Sequence, residues 1–178
     1  MQEWRKAKEL DPLSLIIGSA FGYYLVWQGH KEEGLSMLQS VMEINDDFVA
    51  GHQNLAFAYV LAGMNPEAAA EAKKMVSLGT ETRSAYFAAC AFARAGQRED
   101  AVTILNNLLE ERDERYVDPA GIAMIYASLE DGKNSLQWLD KAVSEKSAGI
   151  LYTRIFPVFE FLRDDPRFRE LSKKIGLG

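Results

Sequence analysis

Little in this sequence can do covalent chemistry. Cys90 is the only cysteine among 178 residues, so no internal disulfide forms and the redox compartment stays open. A thiol flanked by alanines on an apolar helix is by default buried and inert. Nucleophilic use would need a base beside it, and His52 of the neighbouring unit is the one candidate. His30 and His52 are the only histidines, and neither stands at ligand spacing from another His or Cys. The glycines form no phosphate-cradling loop. The acidic pairs Asp46-Asp47, Glu110-Glu111 and Asp164-Asp165 fall at turns or helix ends, as caps and solubilising charge. The expectation is a chain without catalytic residues, metal site or cofactor, and not an enzyme.

Positive charge is also in short supply. Twenty Lys and Arg face 26 Asp and Glu, for a net charge of −6. A nucleic-acid partner normally needs a basic stripe, so none is expected. Strand signals are missing too: there is no sustained two-residue alternation and no Asn-Gly hairpin. Pro12 to His30 and Phe48 to Glu67 contain long uncharged runs, and a bilayer span needs about 20 apolar residues. Gln28, Gln53, Asn54 and internal glycines interrupt both runs, which therefore read as buried helices and not as membrane spans. Trp4-Arg5-Lys6-Ala7-Lys8 is followed by an acidic residue and not by the apolar stretch of a secretory signal. The expected compartment is the cytoplasm, or the periplasm if a longer parent protein carries an upstream membrane segment.

What the chain does have is a period. Gly29, Gly63 and Gly96 stand 34 and 33 residues apart. Each closes a similar phrase: Phe21-Gly22-Tyr23-Tyr24-Leu25, Leu55-Ala56-Phe57-Ala58-Tyr59 and Ala88-Ala89-Cys90-Ala91-Phe92. A fourth copy, Ile122-Ala123-Met124-Ile125-Tyr126, follows 34 residues on. Such a period marks one small unit used repeatedly, each unable to bury its apolar face alone. Leu35, Leu38, Met42 and Leu105, Leu108, Leu109 recur at three- and four-residue spacings, the stripe of an amphipathic helix. Asn65-Pro66-Glu67, Asp118-Pro119 and Asp165-Pro166 each place a capping oxygen before a first-turn proline. The small residues Gly22, Ala56, Ala89 and Ala123 are expected to let the two helices of a unit approach, with Tyr59, Phe92 and Tyr126 filling the gap beside them.

These residues resemble the tetratricopeptide repeat, a pair of antiparallel helices. In its pattern an apolar and a small residue are followed by an aromatic, a turn glycine, an alanine and a large apolar residue. Unit two matches best, through Leu55, Ala56, Tyr59, Gly63, Ala68, Ala72 and Met75. The family's early tryptophan is absent from every unit, and Glu130 stands at the turn glycine's place in unit four. The resemblance implies an all-α, right-handed superhelical solenoid with a C-terminal capping segment. Its parts are the second helix of a truncated preceding repeat (1–14), four units (15–48, 49–81, 82–115 and 116–149) and the cap (150–178). Because the register begins in mid-unit, the chain reads as a fragment of a longer protein.

Arrays of this family present their first helices along a concave groove that receives a partner segment. Carried onto this chain, the groove candidates are Tyr23 and Trp27 in unit one, and Gln53, Asn54 and Phe57 in unit two. Unit three supplies Arg83, Tyr86, Phe87 and Cys90, and unit four Met124. The clamp by which one subfamily grips the C-terminal carboxylate of heat-shock chaperones is not matched, since Ser19, Tyr23 and Phe87 stand at its polar positions. The face implied is aromatic, anchored by Tyr23, Phe57 and Tyr86, with Gln53, Asn54 and Arg83 as polar handles. An alternative places Phe57 and Tyr86 in packing between adjacent first helices. From Ile150 the period stops in a densely apolar stretch containing Phe156-Pro157-Val158-Phe159, read as a cap over the last apolar face. The last part of the chain also resembles the closing repeats of bacterial multidomain signalling proteins. The implied function is a non-catalytic scaffold or adaptor binding an apolar or amphipathic protein segment. Self-association into a homo-oligomer, through the groove or the open N-terminal face, is the alternative.

Overall fold

The computed structural model describes residues 1–78, 82–151, 153 and 156–176, with the backbone alone at 82 and 83. Among the described residues every regular element is helical. A short α1 (Gln2–Leu10) precedes four pairs: α2 (Leu15–Trp27) with α3 (Lys31–Ile44), α4 (Val49–Ala62) with α5 (Asn65–Ser77), α6 (Thr82–Arg94) with α7 (Arg98–Glu111), and α8 (Pro119–Ser128) with α9 (Gly132–Ser144). Two 3-10 helices, Ala148–Leu151 and Pro157–Leu162, lead to α10 (Pro166–Lys174). Each first helix packs on its own second helix, and α2, α4, α6 and α8 also pack on one another in chain order. The protein is all-α, built from neighbouring helix pairs.

The turns inside the pairs are set by one repeated pair of hydrogen bonds. In the first, Gly29 N–H donates to Val26 C=O and His30 N–H to Leu25 C=O. The same pair recurs at Gly63 and Met64, at Gly96 and Gln97, and at Glu130 and Asp131. This Schellman arrangement ties off orphan carbonyls at a helix end and needs a left-handed residue at its centre. The three glycines take φ of 90°, 76° and 82°. Glu130 takes φ of 61° and makes the same turn, so the missing glycine of unit four changes the cost of the turn and not its shape.

Two of the three expected caps form. Asp118 accepts from Ala120 N–H at 2.9 Å and Asp165 from Arg167 N–H at 2.7 Å, each before a first-turn proline. Asn65 does not cap: it already lies inside α5, which follows Met64 without a side-chain cap. Ser14 and Asp131 cap α2 and α9 instead.

Packing within the pairs follows the small residues. A Cβ on Gly34 would come within 2.5 Å of the Gly22 carbonyl oxygen, and one on Gly22 within 2.9 Å of the Gly34 oxygen. The backbones of α2 and α3 therefore touch. In unit four the corresponding position is Ser135, fully buried, whose hydroxyl donates to the Ala123 carbonyl at 3.0 Å. Neighbouring pairs are also linked by side chains at helix starts. Lys31 Nζ donates to Ala62 C=O at 3.0 Å and Arg98 Nη1 to Leu129 C=O at 3.2 Å. Both place a cation on the carbonyl end of the next first helix, where the helix dipole favours it.

The two ends of the array are finished differently. At the N-terminal end Trp4 of α1 stacks on Phe21, ring centroids 6.0 Å apart. At the other end the first 3-10 helix packs on α8 and α9, the second on α8, and α10 on α9. Phe159 is buried there and stacks on Phe168 at 6.2 Å.

Candidate functional site

Three successive first helices send an aromatic side chain to one place. Tyr23 of α2, Phe57 of α4 and Phe87 of α6 converge on Phe156, with ring centroids 6.4, 5.2 and 5.4 Å from its own. Phe57 and Phe87 meet edge to face at 5.6 Å, and every ring separation falls in the range where aromatic pairs attract beyond simple burial. Phe156 reaches the box from extended backbone, φ −99° and ψ 126°, immediately before Pro157; a residue preceding proline is driven toward that region. Among the described residues the buried Tyr23 hydroxyl oxygen has no hydrogen-bond partner. Burial alone pushes its pKa above the ordinary phenol value.

The sequence-derived groove residues divide sharply. Trp27 is 45% exposed, and Tyr23 and Asn54 are half-buried. Gln53, Phe57, Tyr86 and Met124 are buried, at 8%, 2%, 5% and 0% exposed. Gln53 donates to Ser84 Oγ at 3.4 Å. Phe57 sits under Phe156. The Tyr86 ring lies flat on Gly121, where a Cβ would come within 2.5 Å of it, and its hydroxyl accepts from Asp118 N–H at 2.7 Å. Tyr86 thus welds α6 to α8 as core. Met124 is covered along with most of α8, on which both 3-10 helices pack. The Arg83 side chain lies outside the described residues.

His52 belongs to a second cluster, unseen in the sequence because its members come from different elements. Its Nδ1 lies 2.5 Å from Glu71 Oε2 of α5, and its Nε2 lies 2.7 Å from the Asp46 carbonyl oxygen. Both neighbours are acceptors, so only the doubly protonated imidazolium satisfies both at once. Burial pulls the ring's pKa down, but the Glu71 and Asp46 hydrogen bonds and the attraction of both carboxylates outweigh it and leave the pKa above the ordinary histidine value. Lys74 completes the cluster, its Nζ donating to Asp46 Oδ2 at 2.8 Å.

Cys90 is fully buried, and burial pushes its thiol up to about 12 against a hydrogen bond with Ser128 that lowers it. Both nitrogens of His52 are engaged elsewhere, so the two do not form a nucleophile–base pair. Among the described residues no three His, Cys, Asp or Glu side chains are grouped to hold a metal ion. No described helix is long and apolar enough to cross a membrane.

Sequence reasoning missed Phe156 as a site residue. Its signal was the Phe-Pro pair in the apolar stretch after Ile150, which reads equally well as a cap for the last face. It missed the His52–Glu71 pair because nothing in the spacing along one helix announces a contact across two. No known protein-family model and no curated protein matches this chain.

Proposed function

We propose that the chain is a non-catalytic protein-interaction module of tetratricopeptide type, a right-handed solenoid whose first helices together receive an apolar or amphipathic segment of a protein partner. The observation that carries this reading is the convergence of Tyr23, Phe57 and Phe87, from three successive first helices, on a single aromatic side chain. A surface that accepts one aromatic from a peptide segment has the chemistry of an interface anchor pocket. On the same first helices Trp27 is exposed and Asn54 half-buried. The role of such a module is adaptor or scaffold, within a larger bacterial regulatory protein in the cytoplasm, without cofactor or nucleic acid.

The test is affinity capture from source-cell lysate with the wild-type chain and a Trp27→Glu/Asn54→Glu variant of matching thermal stability. Phe57 and Tyr86 are left untouched because their removal would unfold the core. A protein lost only with the variant supports the module and its face; identical captures move the function off that face.

A second reading, self-association, is favoured by a separate feature. Leu10, Leu13 and Ile16 are 78%, 77% and 70% exposed at the N-terminal end, and clustered exposed apolar side chains mark contact surfaces. Sedimentation velocity over a concentration series tests it. A dimer abolished by Leu13→Glu supports it, and a concentration-independent monomer removes it.

A further inference from the structure

We propose that His52 is a pH-sensitive clasp between units one and two: its imidazolium ties the linker at 45–48 to α5, and loss of one ring proton lets that linker open. The ring is buried on α4 between two oxygen acceptors. Nδ1 faces Glu71 Oε2 of α5 at 2.5 Å, and Nε2 faces the Asp46 carbonyl of the linker at 2.7 Å. Both contacts are direct. A neutral imidazole has one N–H and one lone pair, so it keeps one of these oxygens and repels the other. The bond to the carboxylate is the stronger, being charge-assisted. The neutral ring therefore stays with Glu71 and releases Asp46.

The joint between units three and four is tied in the same way by a cation that does not titrate. Arg112, just past α7, donates to the Val117 carbonyl in the linker before α8 and to Glu145, just past α9. In both joints one cation bridges a linker carbonyl and a glutamate of the pair that follows. Arginine stays charged at every working pH, and histidine does not. The charges around His52 come from α5, with Glu71 and Lys74, and from the linker, with Asp46 and Asp47. Lys74 Nζ donates to Asp46 Oδ2 at 2.8 Å, an exposed pair that holds the linker only weakly. Of the other helices packed on α4, α2 has no charged residue and α3 ends near an exposed Glu43. On α6, Arg94 pairs with Glu130, and the Arg83 side chain lies outside the described residues. Glu71 and Asp46 hold the ring's pKa above the ordinary value against the pull of burial. The clasp is closed below that raised value and opens as pH climbs through it.

The test is NMR of the full chain from about pH 6 to about pH 9, the range around and above histidine's ordinary value. Ring shifts report the His52 proton, and amide protection factors report the linker. The Gly51 and His52 N–H groups donate to the Phe48 carbonyl at 2.8 and 3.2 Å. Their protection should fall about tenfold as the ring loses its proton, the factor that one hydrogen bond to a charged group carries. Ile122 N–H, which donates to the Asp118 carbonyl beside the Arg112 tie, should fall less. In Glu71→Gln the new amide can donate to the bare Nδ1 while Nε2–H keeps the Asp46 carbonyl, so the fall at Gly51 and His52 should vanish. A ring that titrates with no change at Gly51 and His52 overturns the clasp. So does an equal fall at Ile122, which marks global loosening, or a ring that keeps its proton to the end of the range. A fall that persists undiminished in Glu71→Gln overturns it as well. Should Glu71→Gln not fold, the wild-type comparison of Gly51 with Ile122 decides alone. The clasp stands or falls independently of the interaction-module reading, since no partner enters the measurement.

Discussion

Units one and four are copies of one pattern placed in opposite circumstances. In unit one the helices touch backbone to backbone through Gly22 and Gly34, the turn is made by a glycine, and the first helix leaves Ile16 and Trp27 exposed. In unit four the corresponding contact is the Ser135 hydroxyl on the Ala123 carbonyl, and a glutamate is held in the left-handed turn. Its first helix is buried from Pro119 through Ile125. The difference is not in the repeat but in what lies over it. The C-terminal 3-10 helices cover α8, whereas α1 covers α2 only in part. A repeat fixes its own hairpin; its neighbours decide which faces become core and which remain free to bind.

The largest expected effect comes from stripping that cover. Phe159→Ala should cost about 3–5 kcal/mol, as deletion of a fully buried aromatic does, read as a lowered denaturation midpoint. A loss under about 1 kcal/mol would mean that the cover is dispensable. Next comes the close contact of unit one. Gly34→Ala forces a methyl against the Gly22 backbone and should cost about 1–3 kcal/mol; the same melt, unchanged, would mean that α2 and α3 can move apart freely.

The His52 cluster lies between the two ends and gives the middle of the array a pH dependence. The folded-state pKa is raised, so its stabilisation is fully present below the unfolded value of about 6.5 and is lost as pH climbs through the folded value. Denaturation midpoints at pH 6 and pH 8 should therefore fall more for wild type than for His52→Gln. Equal slopes would detach the ring from Glu71 and Asp46.

Glu130→Gly should stabilise unit four by about 1 kcal/mol, because a left-handed backbone costs a residue with a Cβ about that much. Its exposed pairing with Arg94 at 3.6 Å is little to lose. No gain would show that Glu130 compensates for its strained backbone by other means. At the bottom of the scale, Trp27→Ala on the exposed face of unit one should change stability by less than about 0.5 kcal/mol, in contrast to Phe159. A larger loss would make Trp27 core.

The helices and their turns were legible in the sequence because their causes are local. Gly29, Gly63 and Gly96 announce left-handed turns, Asp118 and Asp165 announce capped starts before proline, and Gly22 announces a close helix approach. Asn65 shows the limit of local reading: the same residue pattern begins one residue too late to cap, since α5 has already started. Among the residues carried onto the groove, Tyr23 is half-buried and Trp27 exposed. Phe57, Tyr86 and Met124 are buried, and their burial was not legible because a first-helix face is open or buried according to segments far along the chain.

The sequence by itself determined an all-α chain of paired helices with its period, turns and small-residue contacts, since each depends on backbone preference and on side chains a few residues apart. Only the tertiary structure decided that Phe156 fills the box of Tyr23, Phe57 and Phe87, that His52 is held between Glu71 and Asp46, and that α8 is covered while α2 is covered only in part. Those contacts join side chains brought together from different elements of the chain. Burial and hydrogen bonding choose among the surfaces that the repeat makes equivalent, and no periodicity records that choice.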